Sequence, residues 1–236
     1  MITDRLKNDV IFVTVDGAAD GFSEQRAGIT DKVVDRYKEL GLRVIRFSAN
    51  ENHADILIPQ FDEHPYKGRL TLDTMYSYPY FVMRDMQLHL SDYTHTIRFE
   101  WDGYPIDFTK WTDDFLNYDL LAEPSSHHRY EGDRYGLYGG MSLKSKKADK
   151  ILREKVTTEY WKTRIDRGND YNEDVITNDM LTHYKGWEWD DIFSKWHSRK
   201  PDYSAFGFHE SVSNKNYDDL VGVEPYEIRV WKRYYF

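Results

Sequence analysis

The hydrophobic pattern is clearest at the start of the chain. Val10-Ile-Phe-Val-Thr-Val15 is an unbroken apolar and β-branched run that stops at Asp16-Gly17, as expected of a strand buried on both faces. Ser23 stands at an N-cap position, and Val33, Val34, Tyr37 and Leu40 recur at helical spacing before Gly41, so a helix is predicted over 24–40. Leu42–Phe47 predicts a second strand and Ala54–Ile58 a shorter third. Met75, Phe81, Val82, Met86 and Leu90 predict a helix over 72–91, and a strand beginning near Thr96 follows it. Asp119–Ala122 reads as another strand, Pro124–Asp133 as a polar loop holding His127 and His128, and Tyr135–Leu143 as a glycine-rich segment. Helical signals resume over Ser145–Lys155 and Asp174–Tyr184, and Tyr226–Tyr234 alternates as a late strand. Continuous apolar strands interleaved with helices imply a parallel sheet covered on both faces. The predicted fold is a single α/β domain over 1–236, Rossmann-like, with an elaborated aromatic C-terminal part.

Composition narrows the chemistry. None of the 236 residues is Cys, which excludes disulfides, thiolate metal sites and Cys nucleophiles. Aromatics make up 16% of the chain, with 19 Tyr and 7 Trp. They suit sugar or base stacking, but core filling in place of Leu is the first expectation for most of them. No run approaches the ~18 apolar residues of a membrane span, and the N-terminus has no apolar signal region, so a cytoplasmic protein without membrane insertion is expected. A formal charge of −9 gives no long-range attraction to polyanions. The basic stretch Lys144-Ser-Lys-Lys147, Lys150 and Arg153 reads as a solvated helix face.

The candidate chemistry centres on Thr96-Ile-Arg-Phe-Glu-Trp-Asp-Gly103. At the end of this buried strand Glu100 and Asp102 are i and i+2 and are expected to project together to the same side. Two carboxylates there would suit a hard cation such as Mn²⁺ or Mg²⁺, which in turn holds phosphate oxygens. An ordinary acidic strand-to-turn junction is the alternative. Three other features combine with this pair. Gly139-Gly140-Met-Ser142 would let a backbone approach a polar substrate, or simply form a tight turn. Asn172-Glu173-Asp174 offers a general base, or a helix cap. Phe206-Gly-Phe-His209 offers an imidazole ligand, or a packed histidine.

In this order the motifs resemble the DUF5672 glycosyltransferase family. The matching strings are Phe99-Glu-Trp-Asp-Gly103, Trp111-Thr-Asp-Asp-Phe-Leu-Asn-Tyr-Asp119, Gly139-Gly-Met-Ser-Leu-Lys144, Asn172-Glu-Asp174 and Phe206-Gly-Phe-His209. The likeness covers roughly residues 73–210, and it departs where the family usually has an amide in place of Glu100. It implies a glycosyltransferase type A fold, with a nucleotide-binding half at about 1–105 and an acceptor and catalytic half at about 106–236. It implies a Mn²⁺ or Mg²⁺ ion on Glu100, Asp102 and His209, and a nucleotide-sugar donor, UDP-sugar foremost. The donor would be lined by Gly139, Gly140 and Ser142, with its base near Thr14, Val15 and Asp16. Asp174 is the expected base for an inverting transfer, with Glu173 in reserve. The acceptor classes are a glycan, a protein, or a hydroxymethylated base in DNA, the last fitting a viral modifying enzyme in the host cytoplasm. A non-catalytic sugar- or nucleotide-binding module and a metal-dependent phosphoesterase are the competing readings.

Overall fold

The computed structural model describes residues 2–16, 24–59, 78–130, 134–166, 173–181, 191–198 and 204–209. Side chains are described for these except 24–26, 123–130, 134–139, 164–166, 174–175, 178–179 and 209.

The chain enters through a short helix, α1 (Asp4–Asp9), whose cap Thr3 accepts a hydrogen bond from the Leu6 amide. It passes directly into β1 (Val10–Asp16), and all seven residues of that strand are buried. A strand covered on both faces has no polar side to present, which is why the apolar run is continuous. α2 (Glu24–Glu39) follows, and Gly41 at φ +73° ends it in the left-handed conformation that glycine adopts without a Cβ penalty. β2 (Arg43–Ser48) and β3 (Ile56–Leu57) then add to the same side of β1, each parallel to its neighbour.

The helix predicted over 72–91 is described from Tyr78 onward. α3 (Tyr78–Tyr80) runs on as one π-helical turn, Phe81–Asp85, and one 3₁₀ turn, Met86–His89. Phe81, Val82 and Met86 face inward as the pattern required. β4 (His95–Arg98) pairs parallel to the other side of β1, and its last residue, Arg98, lies level with Val13. The short β5 (Gly103–Pro105) leads into two 3₁₀ turns.

β6 (Leu120–Tyr130) and β7 (Arg134–Ser145) form a long antiparallel hairpin. The segment expected as a polar loop from Pro124 is therefore strand as far as Tyr130. Tyr135–Leu143 is not a turn either: its glycines lie within β7. Hairpin partners override local composition here, and the register shifts between Ala122 and Glu123, where Pro124 cannot donate a ladder hydrogen bond. β7 pairs antiparallel with β4, which closes a six-stranded sheet in the order β3-β2-β1-β4-β7-β6.

Ser145 caps α4 (Lys146–Lys155) by accepting from the Ala148 amide. α5 (Thr158–Asp166), α6 (Glu173–Leu181) and α7 (Asp191–Trp196) follow. β8 (His197–Ser198) and β9 (Gly207–His209) join β5 in a small second sheet of order β5-β9-β8. The predicted strand Tyr226–Tyr234 lies outside the described residues. The architecture is α/β, a mostly parallel sheet flanked by helices, with an aromatic C-terminal elaboration.

Aromatic rings join the small sheet to the large one. Phe12 and Tyr37 meet Phe99 and Phe108, and Trp111, Phe115, Trp196 and Phe206 interlock at centroid distances of 5.2 to 5.9 Å. The Tyr37 hydroxyl donates to the Pro105 carbonyl at 2.6 Å, tying α2 to β5. All of these rings are buried, so core filling accounts for them.

β9 fits against this cluster at Gly207, where a Cβ would collide with Met141 Sδ, lie 2.8 Å from Met141 Cε and lie 3.0 Å from Pro105 Cα. Gly207→Ala should therefore displace β9 and cost about 1–3 kcal/mol, measured by urea unfolding. Adding Met141→Val withdraws the sulfur and terminal methyl and should recover part of that loss, a coupling that independent sites would not show.

Candidate functional site

In an open α/β sheet ligands bind beyond the carboxyl ends of the strands, where the strand order reverses direction. That point lies between β1 and β4. The chain builds outward from β1 to β2 and β3 on one side, then returns to place β4 on the other. Asp16 and Arg98 are the last residues of the two strands that flank the reversal.

Beyond Arg98 the chain turns tightly. Glu100 and Gly103 exchange backbone hydrogen bonds of 2.8 and 3.1 Å, with Trp101 and Asp102 at the corner. Glu100 and Asp102 are thus presented by a turn and not by a continuing strand, because Gly103 reverses the backbone before alternation can operate. The i, i+2 argument fails on that point.

Arg98 is the centre of the site. Its guanidinium is buried and lies 3.0 Å from Glu173 Oε1 and 3.6 Å from Glu100 Oε1. Tyr78 Oη donates to Glu100 Oε1 at 2.6 Å, and the guanidinium carbon lies 5.9 Å from the Tyr78 ring centre. Burial holds the Tyr78 phenol well above its ordinary pKa, so it remains a donor. Both contacts to Glu100 fall on Oε1, which leaves Oε2 for another cation.

A second buried pair supports this cluster from beneath. Lys144 Nζ lies 3.5 Å from Asp149 Oδ1, and Asp149 Oδ2 accepts from Tyr93 and Thr96. Burial pulls the Lys144 ammonium below its usual range and pushes the Asp149 carboxyl above its own. Lys144 thus does not belong to the solvated basic face; Lys146, Lys147, Lys150 and Arg153 do. At the ends of β1 and β2, Arg46 is buried between Asp16, at 2.5 Å, and Asp31, which also meets His53 at 3.0 Å.

The residues singled out from the sequence assemble as follows. Ser142 lies opposite Arg98 in the β4–β7 register, so Gly140 and Gly139 lie on β7 where it runs past the end of β4. Glu173 is the first residue of α6 and is held by Arg98, and Asp174 is the next residue, its side chain outside the described set. Backbone pairing sets His209 opposite Gly103, one residue from Asp102; its side chain is also outside that set. Thr14, Val15 and Asp16 are buried on β1 at the same edge. Among the described side chains no three His, Asp or Glu converge on a metal-sized hole. The donor types nonetheless suit a hard divalent cation: a turn with two carboxylates beside a strand ending in His209. Composition and spacing missed Arg98, Tyr78, Arg46 and Asp31. The available signal was an arginine inside an apolar parallel strand, Ile97-Arg-Phe99 and Ile45-Arg-Phe47, since a buried guanidinium needs a partner.

No protein-family model and no curated sequence matches the chain. Its architecture does have a counterpart. A solved glycosyltransferase involved in the glycosylation of the major capsid of PBCV-1 superposes with a TM-score of 0.51 at 12% identity, over 90% of this chain and 97% of the other. The likeness is one of fold. No helix among the described residues is long and apolar enough to cross a membrane.

The β1 cluster carries a pH signature. Burial raises the Asp16 carboxyl from 3.8 to about 6, against the lowering effect of Arg46. Between those values the fold binds more protons than the unfolded chain, so this group's contribution to stability is present at low pH and is lost as pH rises through about 4 to 6. The rise corresponds to roughly 3 kcal/mol. Asp16→Asn lowers overall stability by weakening the hold on Arg46, but it should also remove that fall. Urea unfolding at about pH 4 and pH 7 should show a pH dependence shifted towards greater relative stability at the higher pH.

Proposed function

We propose that this protein is a cytoplasmic, metal-dependent glycosyltransferase that moves a sugar from a nucleotide-sugar donor, UDP-sugar foremost, to an acceptor hydroxyl. The observation that carries the reading is convergence. The Glu100–Gly103 turn, the Gly140–Ser142 stretch of β7, the start of α6 and the end of β9 meet at the carboxyl edge of a sheet with a glycosyltransferase-like fold. The DUF5672 resemblance rests on the same segments in the same order.

In this reading Asp102, Glu100 and His209 would hold Mn²⁺ or Mg²⁺. When bound, the cation would supply charge neutralisation for a departing diphosphate. The donor base lies near Thr14, Val15 and Asp16, and its sugar lies along Gly139, Gly140 and Ser142. Asp174 takes the acceptor proton, giving inversion. Glu173 is the weaker choice of base, because its Oε1 is already committed to Arg98 at 3.0 Å. A general base must instead reach the proton it removes. The acceptor is a glycan, a protein or a modified DNA base. For DNA the flipped base must enter the site and the backbone must meet local cations such as Lys146 and Lys147, against a net charge of −9.

The test is product analysis with UDP-, GDP-, CDP- and TDP-sugars and Mn²⁺. Nucleoside diphosphate should be released. Monophosphate or free phosphate would indicate a phosphoesterase, and binding without release a non-catalytic module. Asp174→Asn should lower turnover by about 10²–10⁴ while leaving donor affinity within roughly twofold, followed by calorimetry. An equal loss of donor affinity would move Asp174 out of the base role.

A further inference from the structure

We propose that Arg98 is a positioning residue that yokes Glu100 to Glu173, fixing the spacing between the turn that carries the cation ligands and the helix start that carries Asp174. The inference rests on the glycosyltransferase reading for its catalytic meaning, but the yoke itself is a matter of this chain's own contacts. Glu100 and Glu173 are 73 positions apart, on elements that share no backbone pairing. Their carboxylates are joined through one guanidinium, which reaches both Oε1 atoms from the last residue of β4. Tyr78, at the start of α3, adds a third anchor. Its hydroxyl donates to Glu100 Oε1 at 2.6 Å and lies 3.4 Å from the Arg98 guanidinium.

Geometry distinguishes this arrangement from a surface ion pair. The Arg98 and Glu173 side chains are 2% and 11% exposed, so their attraction is poorly screened. The planar guanidinium fixes direction as well as charge, which an ammonium cannot do. Glu100, at 28% exposed, lies at the boundary between this buried group and the open edge. A shift in Glu173 would therefore reach Glu100 through the guanidinium, and with it the turn that holds Trp101 and Asp102. Outer partners of this kind orient the ligands that touch a cation.

Trp101 lies in that turn between the two carboxylates, so it reports the yoke without any ligand. With 5-fluorotryptophan incorporated and the Trp101 resonance assigned from Trp101→Phe, Glu173→Gln and Tyr78→Phe should each shift the Trp101 signal. Arg98→Lys, which keeps charge but loses the fork, should shift it further. Arg98→Met is less informative, because leaving two carboxylates without their cation could unfold the chain. In parallel, Glu173→Gln and Arg98→Lys should weaken Mn²⁺ affinity by about 10- to 100-fold, read by electron paramagnetic resonance. The donor KM should rise and the acceptor KM should not. Folded variants with a lowered melting point, an unmoved Trp101 resonance and unchanged Mn²⁺ affinity would overturn the yoke and leave Arg98 a purely structural residue. A wild-type protein that shows the Trp101 coupling but binds neither Mn²⁺ nor nucleotide would uphold the yoke and overturn the glycosyltransferase reading alone.

Discussion

Two guanidiniums inside a parallel sheet constrain the whole site. Arg46 and Arg98 occupy strands whose neighbours are apolar, and both are 2% exposed. A buried charge without a partner is not tolerated, and breaking such a pair costs about 3–5 kcal/mol. The fold must therefore bring carboxylates to both places. Asp16 and Asp31 serve Arg46, and Glu100 and Glu173 serve Arg98. Each set draws on separate elements, so satisfying the arginines also fixes where α2, α6 and the turn after β4 come to rest.

That constraint explains why the site lies where it does. A parallel sheet leaves its carboxyl edge open at the reversal beside β1, but an open edge alone does not gather side chains. Here Arg98 draws α6 to the end of β4, while the aromatic cluster holds the small sheet against β7 and sets His209 opposite Gly103. Electrostatics acts on one flank and apolar packing on the other. Packing supplies most of the stability, roughly 1.5–3 kcal/mol for each large side chain fully buried. The ion pairs supply direction.

Much of the fold was legible in the sequence because parallel strands buried on both faces leave a strong mark. β1, α2 and β2 follow from the apolar runs and from Gly41, within a residue or two. Legibility failed where pairing partners outweigh local composition. Pro124–Tyr130 looks polar yet is strand, because β7 lies beside it, and β5, β8 and β9 are too short to register as strands without the sheet they form. The segments that meet at this edge can be picked out in the sequence, and the structure adds how they are joined. Lys144 shows the limit most clearly. It belongs to a basic run in the sequence, yet it lies on β7, one residue before the Ser145 cap of α4, and faces Asp149 in the interior. No periodicity argument separates it from Lys146, two residues later and exposed.

The charges around Arg98 also bear on what the edge can hold. Lys144 and Asp149 sum to zero wherever their shared proton sits, so burial of that pair leaves the balance unchanged. Arg98 then faces Glu100 and Glu173, with Asp102 two residues from Glu100 in the same turn. Glu173 is more buried than Glu100 and closer to Arg98, so it takes the larger share of the guanidinium's charge. Glu100, in the half-buried turn, keeps more of its own. A carboxylate so placed at the carboxyl edge of the sheet suits the hard-cation role proposed for it. The same balance explains why Glu100 can serve both neighbours: Arg98 and Tyr78 need only Oε1.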